Sequence, residues 1–317
     1  MKFKNYFLFS MSALLGLAIS AMPLSAFAQG GDRDLAPGQK TIHTIRTNPQ
    51  GNPIGEGLGQ SRPSAKPTSN NGIFYGGGPL MLGVPSMYYI WYGNWSGNTA
   101  TNILVDFANN IGGSPYYNIN TTYYDGTGTR VTNAVVLGGQ TFDTTYKYGT
   151  SLTDTAIRSI VTDAITSGRL PKDTNGIYFV LTSADVTASS GFCTQYCGWH
   201  TWGTISGSAI KYSFIGNSAR CPSACAAQSV GPNGNAGADG MASIIAHELE
   251  EAVTDPQPLS GWADRRGAEN ADKCAWTFGA TYTTANGATA NMRLGTRDYL
   301  IQQNWVNALG GYCAKSY

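Results

Sequence analysis

The stretch SIIAHELEEAVTDP, Ser243 to Pro256, decides how this chain reads. Met241, Ile245, Leu249 and Ala252 recur at helical spacing and form one apolar stripe, which should pack on a sheet. Asp239 is the expected N-cap, where its carboxylate would complement the positive helix end. Thr254-Asp255-Pro256 should end the helix, because proline disfavours helical geometry in the residue before it. His247 and Glu251 then project from successive turns on one side, with Glu248 roughly 100° around from His247. Two residues so placed can bind a metal while the glutamate between them reaches a metal-bound water. The zinc-peptidase pattern would carry a second histidine where Glu251 stands. A carboxylate oxygen binds zinc at about the same distance as an imidazole nitrogen, so Glu251 can serve. Two plainer readings compete: a structural helix with a solvated acidic face, and a decayed site.

A further ligand must come from elsewhere in the chain. Of the 3 histidines, His43 lies in a polar leader, which leaves His200 and His247. His200 sits in YCGWHTWG, read as the join between a strand and a cysteine-pinned loop. His200, His247 and Glu251 would form a two-histidine, one-carboxylate set. Asp264, Glu269 and Asp272 lie close before Cys274, and Glu269 is the preferred acidic alternative. The expected centre is therefore His247 and Glu251 with His200 or Glu269, and with Glu248 as general base. Zinc is the expected cofactor. Calcium is its rival, since carboxylates favour it and imidazole does not.

Composition narrows the setting. The chain has 317 residues, a formal net charge of +1 and only 12% charged residues, against about 25% in an average soluble protein. Near-neutral charge gives no reason to expect a nucleic acid partner. Residues 1–28 read as a signal peptide, with Lys2 and Lys4, an apolar run and Ala26-Phe27-Ala28 as cleavage site. Polar residues and Pro23 interrupt that run before it reaches about 20 apolar residues, which argues against a membrane anchor. Residues 29–71 are rich in Gly, Pro, Ser and Asn without apolar period and read as a disordered leader. The expected location is secreted or periplasmic.

All 6 cysteines lie after residue 190, an even count that argues for disulfides in an exported chain. Cys274 with Cys313 is the favoured bridge, and Cys193, Cys197, Cys221 and Cys225 should staple their region among themselves. Strands are expected at 86–93, 116–125, 133–139, 176–186 and 209–217, with helices from the NTATNILVDFANNIG stretch and at 152–168. The fold class is mixed α/β (α+β): one domain over 72–317, a central mixed sheet, a zincin-like metal-site helix and a disulfide-stapled C-terminal half.

Several separated blocks resemble, in order, the phosphate-induced protein or EXORDIUM-like family. They are GGPLMLGVPSMYYIWYGNW, CGWH, YSFIGNSARCPSACA, GADGMASIIAHELEEAVTDP and RDYLIQQNWVNALGGYC, together covering roughly residues 77–313. The resemblance implies a secreted cell-wall or apoplastic protein linked to growth, and it supplies no biochemical activity. It also implies a microbial branch, in which the acidic helix is followed by a Gly-Trp, here Gly261-Trp262, and by the stretch from Glu269 to Cys274.

Three functions follow. One is a secreted zinc-dependent hydrolase, most simply a peptidase, acting on a peptide or cell-wall polymer. The second is a non-catalytic cell-surface or wall-binding protein, with YYIWYGNW and CGWHTWG as patches for sugars, although aromatic residues more often fill cores. The third, a nucleophile made of Cys193 or Cys197 with His200, is disfavoured because exported cysteines oxidise.

Overall fold

The computed structural model describes residues 72–317 and a two-residue antiparallel ladder, Arg46–Thr47 with Pro53–Ile54. The expected signal peptide, cleavage site, His43 and nearly all of the leader lie outside the described residues.

Five strands build the sheet: β1 (Ser86–Tyr92), β2 (Val136–Asp143), β3 (Gly176–Thr182), β4 (Gly198–Ile205) and β5 (Ser208–Ile215). Their order is β2-β1-β3-β5-β4. All neighbours run parallel except β4, which pairs antiparallel with β5 at one edge. β1 and β3 read as near-continuous aromatic and β-branched runs because both their faces are covered. The hairpin between β4 and β5 turns at Ser206 and Gly207, with φ of 48° and 77°, as a two-residue turn with both central residues left-handed requires.

Three helices cover the sheet: α1 (Ala100–Ile111), α2 (Asp154–Thr166) and α3 (Ala236–Thr254). Side chains alternate along a strand, so β4 shows which helix lies where. A Cβ on Gly198 would meet Ile244 of α3 at 2.5 Å, whereas one on Gly203 would meet Arg158 of α2 at 3.3 Å. The two glycines differ in parity, so α3 and α2 cover opposite faces. α1 packs beside α3. His200 shares parity with Gly198 and therefore faces α3.

The expected elements largely form, with corrections. The strand expected at 116–125 is instead a 3-10 helix, Tyr117–Thr122. The side-chain hydroxyls of Thr121 and Thr122 donate to the carbonyls of Asn118 and Ile119, both at 2.8 Å. Such local bonds compete with a ladder, and the aromatic–polar alternation concealed them. His200 lies within strand β4 rather than beside a loop; two glycines dilute the strand signal of GWHTWGTI. The cap of α3 is Asn235, whose side chain accepts from the Ala238 amide at 3.1 Å. Asp239 sits inside the first turn and accepts from the Asn233 backbone and side chain, at 3.0 and 2.6 Å.

Trp91, Trp95 and Trp199 are buried core residues, so the two expected sugar-binding patches are mostly interior. Trp199 stacks on Phe214, with ring centroids 5.9 Å apart.

Disulfides join Cys193 to Cys221, Cys197 to Cys225 and Cys274 to Cys313, and no described cysteine is free. This removes the cysteine nucleophile. No helix among the described residues is long and apolar enough to cross a membrane. The Cys274–Cys313 bridge closes a span of 39 residues, for which chain entropy gives about 4 kcal/mol. The double variant C274S/C313S should lose stability on that order in urea titration followed by tryptophan fluorescence, with a steeper transition, because the unfolded chain without the bridge exposes more surface.

Candidate metal centre

Helix α3 has 19 residues and is buried on every side from Met241 to Thr254. Met241, Ile244, Ile245, Leu249 and Val253 fill the space against the sheet and α1. Each such side chain contributes about 1.5–3 kcal/mol on burial. That gain is needed, because Glu248, Glu250 and Glu251 are buried on the same helix. A desolvated carboxylate costs several kcal/mol unless it is paired, bound or protonated. The acidic face is therefore interior and not solvated, contrary to the plainest expectation.

Two further segments close over it. The chain leaves α3 at Asp255, whose Oδ1 accepts the Gly261 amide at 2.6 Å and the Ser260 amide at 3.2 Å. A Cβ on Gly261 would strike the Thr254 carbonyl oxygen at 2.3 Å, so only glycine admits this loop so close to the helix end. Trp262–Ala263 then pairs with Phe74–Tyr75, and a turn brings Glu269 and Asp272 down on α3. The Cys274–Cys313 bridge fixes the end of this segment.

His200 reaches the cluster from the sheet. Its Nδ1 lies 3.4 Å from Glu248 Oε2 and 3.7 Å from Glu251 Oε2. Its Nε2 lies 3.1 Å from the Asp255 carbonyl oxygen and 3.7 Å from Glu269 Oε2. His247 Nε2 lies 2.8 Å from Glu251 Oε1 and 3.3 Å from Asp272 Oδ1. His247 Nδ1 meets the Gln302 amide nitrogen at 2.5 Å. The Asp272 amide donates to Glu251 Oε1 at 3.0 Å. Glu251 thus stands between both histidines. Two groups have ligand atoms close enough to share a cation: His200, Glu251 and Glu269, and His247, Glu251 and Asp272.

All five named site residues, His200, His247, Glu248, Glu251 and Glu269, therefore converge. Asp272 joins them, while Asp264 does not. Asp264 Oδ1 accepts the Arg266 and Ala268 amides at 2.7 and 3.1 Å and holds a turn. Sequence reasoning missed Asp255, Gln302 and Glu250. The polar run Gln302 to Asn304 inside an otherwise apolar tail was the available signal. Glu250 points away from the cluster, accepts from Asn304 Nδ2 at 2.6 Å and lies among Tyr116, Tyr117 and Tyr123.

The matching family model, described as the phosphate-induced protein 1 conserved region, covers residues 73–299. The chain belongs to the phosphate-induced protein 1 family. Among similar curated proteins, EXORDIUM-like 3 of Arabidopsis thaliana is 34% identical over 274 residues, covering 74% of this chain and 80% of that relative. EXORDIUM-like 5 of the same plant is 32% identical over 268 residues, covering 72% and 73%. PHOSPHATE-INDUCED 1 of Nicotiana tabacum is 28% identical over 217 residues, covering 59% and 66%. These relatives are plant proteins, not the microbial branch that the resemblance implied. No solved structure matches the chain at a significant level.

Burial raises the Glu250 carboxyl well above the usual carboxylate range, and the Asn304 bond only partly opposes this. The unfolded chain releases that proton near pH 4.3, while the folded state retains it. The folded state then binds more protons, so the contribution of Glu250 to stability falls as pH rises above about 4.3. Glu250→Gln keeps an oxygen for Asn304 and removes the ionisation. Urea titrations with chelator present should find the variant level with the parent near pH 4 and more stable at pH 8.

Proposed function

We propose that the protein is a secreted, non-catalytic cell-surface or cell-wall binding protein of the EXORDIUM type. The observation that carries this reading is the closure of the acidic centre. Glu248, the expected general base, is 0% exposed, and its carboxylate faces His200 instead of a cleft. A hydrolase acting on a polymer needs its base within hydrogen-bond reach of a substrate or its water. Three disulfides fit an oxidising compartment.

Polymer contact then falls to the surface. Tyr124 is 39% exposed and its ring lies 5.2 Å from that of Trp262, which in turn neighbours Tyr75 at 5.7 Å. The Arg130 guanidinium sits 5.4 Å from the centre of the Tyr124 ring. The Trp262 indole N–H donates to the Tyr124 carbonyl at 2.9 Å, which fixes the pair. Trp262 itself is buried, so Tyr124 is the exposed ring of this group, and a rigidly held ring with a cation over it suits an acidic sugar. Tyr124→Ala should cut retention on insoluble acidic wall polysaccharide about tenfold, a loss of about 1.4 kcal/mol. Retention of the parent no better than that of an unrelated protein would end the binding proposal.

A metal-dependent hydrolase is the second reading. What favours it is the approach of an imidazole to Glu248 and Glu251 on one helix. Labelled casein separates the two. The binding reading expects no cleavage above a protein-free control. Cleavage that Glu248→Gln abolishes while bound metal is retained would establish the hydrolase instead.

A further inference from the structure

We propose that the pocket between β4 and α3 seats one divalent cation, with His200 Nδ1 as its only imidazole ligand and His247 outside the coordination. Hydrogen bonding assigns the proton on each ring. The Asp255 carbonyl oxygen can only accept, so His200 Nε2 donates to it at 3.1 Å. That leaves the Nδ1 lone pair aimed at Glu248 Oε2 and Glu251 Oε2, at 3.4 and 3.7 Å. His200 is 1% exposed, and its Nδ1 has no hydrogen-bond partner among the described residues. A lone pair facing two carboxylates in a dry interior is repulsive unless a metal ion or a proton lies between them. Ligand bonds of about 2.0–2.2 Å in a tetrahedral arrangement put neighbouring donors about 3.4 Å apart. The His200 spacings match that figure. Glu269 lies toward the other nitrogen, its Oε2 3.7 Å from His200 Nε2, so His200 Nδ1, Glu248 and Glu251 are the three protein ligands of the seat. The bond from His200 Nε2 to a carbonyl is the outer contact that fixes the tautomer of a metal-bound imidazole.

The second candidate group is built differently. Gln302 Oε1 accepts the Trp276 amide at 2.9 Å, which orients the Gln302 NH2 toward His247 Nδ1. His247 Nδ1 therefore accepts, and its Nε2–H donates to Glu251 Oε1 at 2.8 Å. The Asp272 amide donates to the same oxygen. Glu251 Oε1 is thus held by two donors, and its other oxygen is turned to His200. His247 is a positioning residue that aims Glu251.

Gly198 makes the approach possible. A Cβ there would meet Ile244 Cγ2 at 2.5 Å and Glu248 Oε1 at 3.0 Å. One nitrogen with carboxylate oxygens suits zinc better than calcium, which takes oxygen ligands in larger number.

The test uses the whole chain purified without chelators. Zinc content and zinc-edge X-ray absorption should give one zinc per chain with one imidazole in its shell. His247→Gln should keep that stoichiometry and bind zinc about 10–100-fold more weakly, as loss of an outer contact does. His200→Gln should lose bound zinc altogether. Two imidazoles on the zinc, or full zinc affinity in His200→Gln, would overturn the assignment. Absence of any divalent ion from the parent, with none taken up on titration, would overturn the seat itself. Should His200→Gln fail to fold by circular dichroism, the absorption spectrum of the parent decides.

Discussion

The burial of several carboxyl groups between one edge of a sheet and one apolar helix is the constraint to which the rest of this structure answers. Glu248, Glu250, Glu251, Glu269 and Asp255 are interior, and no single one of them could be so without a partner. The partners come from distant parts of the chain. His200 arrives on the antiparallel edge strand, the Ser260 and Gly261 amides on the loop after α3, and Asn304 on the tail. The tail is held by a disulfide from Cys274, and the loop by pairing with Phe74–Tyr75. The C-terminal half thus acts as a cover whose shape is dictated by the charges beneath it.

Much of this was legible in the order of residues. The α3 stripe and the aromatic runs of β1 and β3 follow from spacing and composition, and the favoured Cys274–Cys313 bridge is the one that forms. Convergence of His200 with the α3 glutamates was legible only as an inventory, because so few histidines exist. The orientation of each ring was not legible. It depends on which group meets the far nitrogen, a carbonyl for His200 and a side-chain amide for His247, and both come from tertiary contacts. The segment at 117–122 misled for a local reason. Its threonine hydroxyls bond backward to carbonyls, and a period of three with large aromatics resembles a period of two over so short a span.

Membership of the phosphate-induced protein 1 family and a helix that reads like a hydrolytic zinc motif pull in different directions. Burial weighs the balance. The same side chains that would ligate and activate in an open cleft are packed against β4 and β5 and roofed by the segment from Asp255 to Cys274. A metal in that position would tie the sheet edge to the helix and the helix to its cover. Such a tie stabilises whatever surface the fold presents, with or without chemistry at the ion.

The bridges Cys193–Cys221 and Cys197–Cys225 lie side by side, each spanning 28 residues, and Cys221 Sγ sits 3.6 Å from Cys225 Sγ. The segment leading into the edge strand is thereby cross-linked twice over one short span, so cutting either bridge alone leaves the same two stretches of chain tied together.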